Sequence, residues 1–374
     1  MTATHPGEAW RPLQEYAADA DLTCIIVSSY QAVSYFAGIA LVSQFLIPDR
    51  GAYLIVPARG EPILLVCNIE LSQVREQTAM SDVRQYVEFA DDPVTVLAQV
   101  VRDRHLDGRV GIEGRRIAVA GSSALTTALP GASLVAVDAV IERHQSVKST
   151  NTRDALAGAA RATQRAIELA IDETRPGHLE VDVTAAIFAH LARAGAVPMF
   201  AFFAAGPRTV LAHPEGEGTP VKVGDVWRTD VGARFGGGIM SDIARCGTVG
   251  PADPAQRSAF ALLRAAQQSA LDAIAPGRRA GDVYAAARNR LRAGGHELEI
   301  PHVGHGIGIG AHEAPILHPG NDDPLLPGMV MNVEPILFLR DRREAYHTED
   351  LVVVTEDGHL LLTEPQAELL EVRS

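Results

Sequence analysis

The stretch TDVGARFGGGIMSDIARCGT, residues 229–248, has the composition of a β-hairpin, with two apolar segments on either side of a glycine triplet. Each segment places one aspartate among apolar and small residues, Asp230 before the triplet and Asp242 after it. A buried carboxylate is costly unless it is paired or bound to a metal. Because both aspartates are equally far from Gly236, we predict that they lie opposite each other on one face of the hairpin.

A second carboxylate hairpin is predicted near the carboxyl end of the chain. The segment VMNVEPILFL carries Glu334, the segment HTEDLVVV carries Glu349, and the polar loop around Asp341 and Arg342 lies midway between them. If a pseudo-twofold axis relates the two hairpins, four carboxylates meet at one point. Such a cluster repels itself unless cations neutralise it. A cluster of four carboxylates fits two divalent cations that share bridging carboxylates.

An internal repeat supports the pseudo-twofold arrangement. Two segments each predict a helix, a Pro-Gly break, and a second helix that is capped by an aspartate and ended by a glycine. The matching positions, all offset by 100 residues, are Pro176-Gly177 with Pro276-Gly277, Asp182-Val183 with Asp282-Val283, Leu191 with Leu291, and Gly195 with Gly295. Strands are predicted after each segment, so residues 155–374 are expected to form two similar halves.

The whole chain has the composition of a globular protein of about two domains, given its 374 residues and 47% hydrophobic content. Residues 10–145 predict alternating helices and strands, including a strand LTCIIVSS, a hairpin of GAYLIVPA with PILLVCN, and helices over 70–78, 93–106 and 122–129. We place the domain boundary in the polar stretch at 144–153, which gives domains 1–147 and 148–374.

Charge and cysteine content narrow the classes of function. The net charge is −13, and Lys148 and Lys222 are the only lysines, which argues against nucleic-acid binding. Three widely spaced cysteines predict free thiols in a reducing compartment. The amino-terminal residues lack a signal-type apolar core, and the apolar runs are too short to span a bilayer. We therefore expect a cytoplasmic protein that does not bind membranes.

Histidines complete the candidate site. The segment PHVGHGIGIGAHEAP offers His302, His305 and His312 among glycines that allow close approach of backbone and ligand, and TVLAHPEGEG offers His213 ahead of the first hairpin. Two metal ions about 3.5–4 Å apart can hold a bridging hydroxide and polarise a substrate carbonyl. Neutral histidines nearby can donate hydrogen bonds to a developing oxyanion.

These motifs resemble the pita-bread metallopeptidase family, which includes proline dipeptidases, Xaa-Pro aminopeptidases and methionine aminopeptidases. The matching stretches are GDVWRTDVGARFGGGIMSDIARCGTVG, GHGIGIGAHEAP, PGMVMNVEPIL and TEDLVVVTEDG. The stretch SSYQAVSYFAG resembles the creatinase-like amino-terminal domain of prolidases. The resemblance implies an α+β fold: a carboxyl-terminal pita-bread domain, with duplicated α/β halves around a curved antiparallel sheet, and a smaller α/β amino-terminal domain.

The resemblance also implies roles for individual residues. Asp242 and Glu349 would bridge two metal ions, Glu334 would in addition handle the proton of the attacking water, and His213 and His312 would assist the tetrahedral intermediate. The implied metal ligands are Asp230, Asp242, His305, Glu334 and Glu349. The implied activity is hydrolysis of small peptides at Xaa-Pro bonds by a metal-bridged hydroxide. Mn²⁺ is the expected metal, with Co²⁺, Zn²⁺ and Fe²⁺ left open, and a homodimer is expected.

Two departures from the family pattern concern the substrate. Pro301 stands where proline-specific members often carry a histidine, and His347 stands where many Xaa-Pro aminopeptidases carry an arginine. His302 and His347 are the candidate substrate contacts. The choice between dipeptidase and aminopeptidase stays open, as does a non-peptide substrate on the same fold, such as that of an ectoine-type amide hydrolase, a creatinase-like amidinohydrolase or a sulfonium lyase. A binding protein without catalysis is disfavoured, because none of the seven metal and catalytic positions has changed.

Overall fold

The computed structural model describes residues 9–47 and 49–373, and the chain divides into two units, Met1–Gln145 and Ser146–Ser374. In the first unit the described helices are α1 (Arg11–Asp19), α2 (Tyr30–Ala37), α3 (Val42–Leu46), α4 (Leu71–Gln77), α5 (Pro93–Asp103), α6 (Val119–Ala128) and α7 (Asp138–Ser146). The strands are β1 (Cys24–Val27), β2 (Tyr53–Pro57), β3 (Ile63–Cys67), β4 (Asp82–Tyr86), β5 (Arg109–Ile112) and β6 (Ser133–Ala136).

The strands of the first unit form one six-stranded sheet in the order β4-β3-β2-β1-β5-β6. Only β2 runs antiparallel to its neighbours β1 and β3. The predicted strand LTCIIVSS, the hairpin of β2 with β3 and the three predicted helices are confirmed, with α6 beginning three residues earlier than predicted. Strands β1 and β3 are buried along their whole length, as their continuous apolar sequences predict.

The second unit contains four helices and eleven strands among the described residues. Its helices are α8 (Thr150–Glu173), α9 (Glu180–Arg193), α10 (Pro254–Asp272) and α11 (Ala280–Ala293). Its strands are β7 (Val197–Ala205), β8 (Val226–Arg234), β9 (Met240–Val249), β10 (Gly304–Gly306), β11 (Glu313–Ile316), β12 (Val330–Val333), β13 (Ile336–Leu339), β14 (Glu344–His347), β15 (Asp350–Val354), β16 (His359–Leu361) and β17 (Leu370–Val372).

The predicted repeat is present in the second unit. Helices α8 and α9 correspond to α10 and α11, and each pair is followed by strands. The equivalent glycines Gly177 and Gly277 have φ values of 92° and 77°, in the left-handed region that favours glycine. Their amides donate to the carbonyls of Val221 and Leu325 at 2.9 and 2.8 Å, respectively. Both halves thus use the same turn to join the helix pair to the segment that precedes β8 in the first half and β12 in the second.

The aspartates predicted as helix caps lie one turn further along than expected. The carboxylate of Asp182 accepts a hydrogen bond from the amide of Leu179, and that of Asp282 accepts from the amide of Arg279. Leu179 and Arg279 are therefore the capping positions, and the prediction of aspartate at the cap is wrong. Each aspartate still satisfies a backbone donor that the helix start leaves open.

The first carboxylate hairpin is formed by β8 and β9, but its register differs from the prediction. Asp230 lies opposite Ala244, and Asp242 lies opposite Gly232, so the two aspartates are diagonal neighbours on one face. The prediction that they face each other directly is wrong. The reason is the turn, a 3₁₀ turn over the glycine triplet in which Gly237 has φ 74°, which centres the hairpin on residue 237.

The second carboxylate hairpin is interrupted where its glutamates stand. Instead of two continuous strands, the chain forms two short ladders, β12 with β15 and β13 with β14. Glu334 and Glu349 lie in the gap between these ladders, and both ladders share one register, centred on the predicted loop at 341–342. The flanking pairs are Val333 with Asp350 and Ile336 with His347.

The strands of the second unit group into sheets of four, five and two strands, in the orders β17-β9-β8-β7, β11-β10-β12-β15-β16 and β13-β14. Hydrogen bonds join the two larger sheets near the carboxylates: the amide of Glu349 donates to the carbonyl of Ala244, and the side chain of Asn332 donates to the carbonyl of Asp242. One buried core is shared by α10, α11 and strands β12 to β15. No helix in the described residues has the length and apolar character needed to cross a membrane.

Candidate metal centre

Five side chains converge where the two larger sheets of the second unit meet. Groups of ligand atoms that lie within 4.8 Å of one another are formed by Asp230, Asp242 and Glu349, and by His305, Glu334 and Glu349. Glu349 belongs to both groups. The His305 Nε2 atom lies 3.3 Å from Glu334 Oε1 and 3.9 Å from Asp242 Oδ2. The structure therefore brings together all five residues that the sequence predicted as metal ligands.

The donor atoms of this cluster are buried but lack hydrogen-bond partners. Glu349 and His305 are 0% and 1% exposed, respectively. Among the described residues, no hydrogen bond reaches Asp230 Oδ1, Asp242 Oδ1, His305 Nε2, Glu334 Oε1 or either carboxylate oxygen of Glu349. Buried polar atoms in folded proteins are almost always paired. A set of convergent, unpaired oxygens with one imidazole nitrogen fits divalent cations, which would supply the missing partners.

Electrostatic repulsion within the cluster supports the same conclusion. Burial raises the pKa of Asp242 well above its ordinary value, and the Glu349 carboxylate adds to the rise. Burial also raises the pKa of Glu349, to which Glu334 contributes. Burial is the largest influence on Glu334 and opposes its ionisation too, but His305 and His347 together outweigh it and lower the pKa of Glu334 well below its usual range. Four negative charges are therefore not maintained by the protein alone, and bound cations would stabilise them.

The orientation of His305 suits a metal ligand. Its Nδ1 lies 3.0 Å from the carbonyl oxygen of Gly306, so an Nδ1–H donor there leaves Nε2 directed at the carboxylates. Strand β10, which carries His305, packs closely on both neighbours. A Cβ atom at Gly306 would lie 2.2 Å from the carbonyl oxygen of Ala314, and one at Gly304 would lie 2.0 Å from that of Asn332. The glycines of this segment thus allow the strand to approach closely enough to place the imidazole.

His312 lies at the edge of the cluster. Its ring stacks on that of His305, with a centroid distance of 3.7 Å and an interplanar angle of 18°. Its ligand atoms also fall within 4.8 Å of those of Asp242 and His305. His312 is exposed, and partial loss of hydration together with the neighbouring His305 lowers the pKa of His312 to about 4. At neutral pH this imidazole is uncharged and can act as a hydrogen-bond donor.

His213 is exposed and lies on the loop that follows the 3₁₀ turn Gly206–Val210. Its ring packs against Phe202, with a centroid distance of 4.9 Å, and Phe202 pairs with Asp230 across the β7–β8 ladder. His213 therefore lies next to the strand that carries one predicted ligand. In the described part of the chain, no hydrogen bond or ion pair joins His213 to the five clustered residues.

The two candidate substrate contacts flank Glu334. His302 Nδ1 lies 3.5 Å from Glu334 Oε1, and His347 Nε2 lies 3.4 Å from Glu334 Oε2. His302 is half-buried, whereas His347 is only 1% exposed. Neither nitrogen of the His347 ring forms a hydrogen bond within the described residues. His347 is thus a buried group that faces the cluster, not a residue of the strand surface.

Sequence reasoning missed a buried network behind Glu349. The Arg245 guanidinium donates to the carbonyl of Glu349 and to the Asp350 carboxylate, at 3.1 Å for the latter. Asp350 also accepts from Arg264 and from Gln267. This network fixes the backbone of Glu349 between β9 and β15. The sequence contained a sign of this network, because Asp350 directly follows Glu349 and begins an otherwise apolar strand.

A second missed feature is a buried ion pair beside His312. Lys148 Nζ lies 2.7 Å from Glu313 Oε2, and the two side chains are 0% and 7% exposed. The other oxygen of Glu313 accepts from the amide of Gly310 at 2.8 Å. The pair thus joins the segment before α8 to the glycine-rich loop that precedes His312. Lys148 is one of only two lysines in the chain, which is the signal that sequence reasoning left unused.

Comparisons with known proteins agree with this geometry. Residues 154–356 match metallopeptidase family M24, and residues 10–147 match the creatinase/prolidase N-terminal domain. The chain is 30% identical over 367 residues to the "Probable dipeptidase PepE" of Mycobacterium tuberculosis, covering 95% of this chain and 93% of the relative. It is 28% identical over 363 residues to the Xaa-Pro dipeptidase of Lactobacillus helveticus, covering 96% and 97%. The crystal structure of dipeptidase PepE from Mycobacterium ulcerans superposes with a TM-score of 0.84, 28% identity, and coverage of 98% and 97%.

Proposed function

Because the chain belongs to metallopeptidase family M24, we propose that it is a dinuclear metal-dependent hydrolase that cleaves small peptides at Xaa-Pro bonds. The observation that carries this proposal is the set of convergent, buried and unpaired donor atoms on Asp230, Asp242, His305, Glu334 and Glu349. The family membership and the pita-bread fold establish a metallopeptidase-type hydrolase. The identity of the metal, the number of bound ions and the bond that is cleaved are what we propose.

The grouping of the donor atoms supports the assignment of ligands. Glu349 is common to both groups, and Asp242 lies 3.9 Å from His305 of the other group, which supports Asp242 and Glu349 as the bridging carboxylates. Oxygen donors with one imidazole suit Mn²⁺, our first choice, and Co²⁺, Zn²⁺ and Fe²⁺ are compatible. When bound, such ions polarise a substrate carbonyl and lower the pKa of water.

The residues around the cluster can perform the proton transfers of amide hydrolysis. As water adds to the carbonyl carbon, Glu334 accepts a proton from it and later delivers that proton to the leaving nitrogen when the C–N bond breaks. Neutral His312 can donate a hydrogen bond to the oxyanion without adding charge, and His213 is proposed for the same task. His302 and His347, which flank Glu334, are proposed as substrate contacts.

The substrate class rests on the relatives. The mycobacterial and lactobacillar relatives carry the names dipeptidase and Xaa-Pro dipeptidase, so we propose dipeptidase activity ahead of aminopeptidase activity. We assign residues 148–374 to the catalytic domain and 1–147 to the creatinase-like domain. All three cysteines are buried and free, which fits the proposed cytoplasmic location. A homodimer is proposed on the family resemblance.

The test is a substrate panel with defined metal content. The purified chain, loaded with Mn²⁺, is assayed against Xaa-Pro dipeptides, longer Xaa-Pro peptides and dipeptides without proline, and the bound metal is counted by elemental analysis. We expect about two ions per chain and hydrolysis of Xaa-Pro dipeptides that Asp242→Asn abolishes. Failure to bind metal, or full activity in Asp242→Asn, would contradict the proposal.

A second candidate keeps the site and changes the substrate. His347 is buried with both ring nitrogens unpaired, and Pro301 is exposed where proline-specific relatives often carry a histidine, so the substrate-facing part of the site departs from the family pattern. These departures favour a non-peptide small molecule as the substrate, handled on the same fold as by an ectoine-type amide hydrolase, a creatinase-like amidinohydrolase or a sulfonium lyase. Full metal loading with no peptide cleaved in the panel above would select this candidate.

A further inference from the structure

Arg228 is a buried cation that the proposed chemistry does not use. It lies on β8, is 0% exposed, and has no ion pair with a carboxylate among the described residues. Burying a guanidinium is costly unless its donors are satisfied. Because side chains alternate along a strand, Arg228 shares a face of β8 with Asp230. A cation at this position therefore needs an explanation beyond filling the core.

The hydrogen bonds of Arg228 point to one neighbouring loop. Its Nε donates to the carbonyl of Thr209 at 2.7 Å, and its Nη2 donates to the carbonyls of Leu211 and Ala212, the latter at 2.8 Å. These three residues lie directly before His213. Leu211 and Ala212 are exposed, so the buried guanidinium fixes a segment that the core does not hold.

A closed ring of contacts results. The chain runs from Arg228 through the loop to His213, whose ring packs on Phe202, and Phe202 is the strand partner of Asp230. Asp230 lies two residues from Arg228 on β8. The loop is also tied to β14, because the amide of Ala345 donates to the Thr209 hydroxyl at 3.0 Å. The imidazole of His213 is thereby held beside the strand that carries a proposed ligand.

We propose that Arg228 is a positioning residue. It holds the backbone of residues 209–212 against β8 and thereby keeps the His213 imidazole in the position that the reaction needs. The planar guanidinium can donate hydrogen bonds to three carbonyl oxygens at once. A lysine side chain is shorter and carries a single ammonium nitrogen, so it does not reproduce this arrangement. The part of this inference that concerns catalysis rests on the proposed function, whereas the part that concerns the loop does not.

The first test measures the loop without reference to activity. Hydrogen–deuterium exchange of the segment 206–216 is compared for the wild type, Arg228→Met and Arg340→Met. Arg340 is the matched control, since its exposed guanidinium donates to the carbonyl of Val210 in the same loop at 3.3 Å. We expect faster exchange in this segment for Arg228→Met alone. Unchanged exchange in Arg228→Met would overturn the proposal, whatever the substrate proves to be.

The second test is a double-mutant cycle with His213→Ala in the Mn²⁺-loaded enzyme. If Arg228 acts through His213, Arg228→Met lowers kcat by about 10- to 100-fold with KM and metal content unchanged, and it has less than about a twofold effect when His213 is already alanine. The same loss in both backgrounds indicates a general structural role and overturns the proposal.

If Arg228→Met does not fold, Arg228→Lys keeps the positive charge but loses the planar fork, and it is carried through both tests with the same criteria. If His213→Ala is fully active, the role of His213 in the proposed function fails, and the exchange measurement alone decides whether Arg228 holds the loop.

Discussion

The buried ion pair of Lys148 with Glu313 gives a prediction of large magnitude. Both side chains are almost fully buried, so Lys148→Met removes the cation while Glu313 keeps its negative charge in the interior. Breaking a buried pair by removing one partner costs about 3–5 kcal/mol. The exposed pair of Arg165 with Glu168, in which the side chains are 61% and 33% exposed, is of the kind worth only about 0–1 kcal/mol.

The assay is thermal unfolding of Lys148→Met, with Arg165→Met as the matched control. For a unit of this size, ~1 kcal/mol shifts Tm by about 2–4 °C, so Lys148→Met is expected to lower Tm by about 6–20 °C and Arg165→Met by less than about 4 °C. The double variant Lys148→Met with Glu313→Gln is expected to recover part of the loss, because the uncompensated charge is gone. Equal, small shifts for both single variants would refute the claim that this pair stabilises the loop.

Three further predictions concern the centre itself. Glu349→Gln is expected to raise the Tm of the metal-free protein, because an amide needs neither a buried negative charge nor the proton uptake that the raised pKa of Glu349 requires at neutral pH. It is also expected to abolish the stabilisation that Mn²⁺ gives the wild type, about 2.7 kcal/mol at a hundredfold excess over Kd; calorimetry with and without metal checks both signs. His312→Gln is expected to lower kcat by about 10²–10³-fold while elemental analysis shows unchanged metal content. Gly306→Ala would place a Cβ 2.2 Å from the Ala314 carbonyl oxygen, so it is expected to reduce metal content as well as Tm, whereas an alanine at the unobstructed Gly158 is expected to leave metal content unchanged.

The sequence predicted the convergence of the five candidate ligands because convergence here follows from symmetry. A repeat offset of 100 residues and two carboxylates around each turn indicate two related hairpins, and the pairing partners are local in sequence. The diagonal placement of Asp230 and Asp242 could not be predicted, because it depends on how the glycine triplet folds. A turn centred on Gly236 and one centred on Gly237 fit the same residues, and the choice shifts every pair in the ladder.

The buried charges outside the ligand set were not predicted for a different reason. Arg228, Arg245 and Lys148 are basic residues, a type that composition alone places at the surface, and the carboxylate partners of Arg245 and Lys148 are distant in sequence. Lys148 and Glu313, for example, are 165 residues apart. Only the tertiary structure shows that the partner is present and that the side chain is inside.

These buried cations share a location that connects them to the chemistry. Arg245 donates to the carbonyl of Glu349, Arg228 to the carbonyls before His213, and Lys148 pairs with the residue that follows His312. Each one therefore holds a segment next to a residue with a proposed role, and the hydrogen bonds and ion pairs shown for these three side chains go to groups other than the donor atoms of the cluster. Because a net positive side chain among the ligands would compete with bound cations, we infer that the fold uses its buried cations behind the centre and leaves the space between the carboxylates for metal.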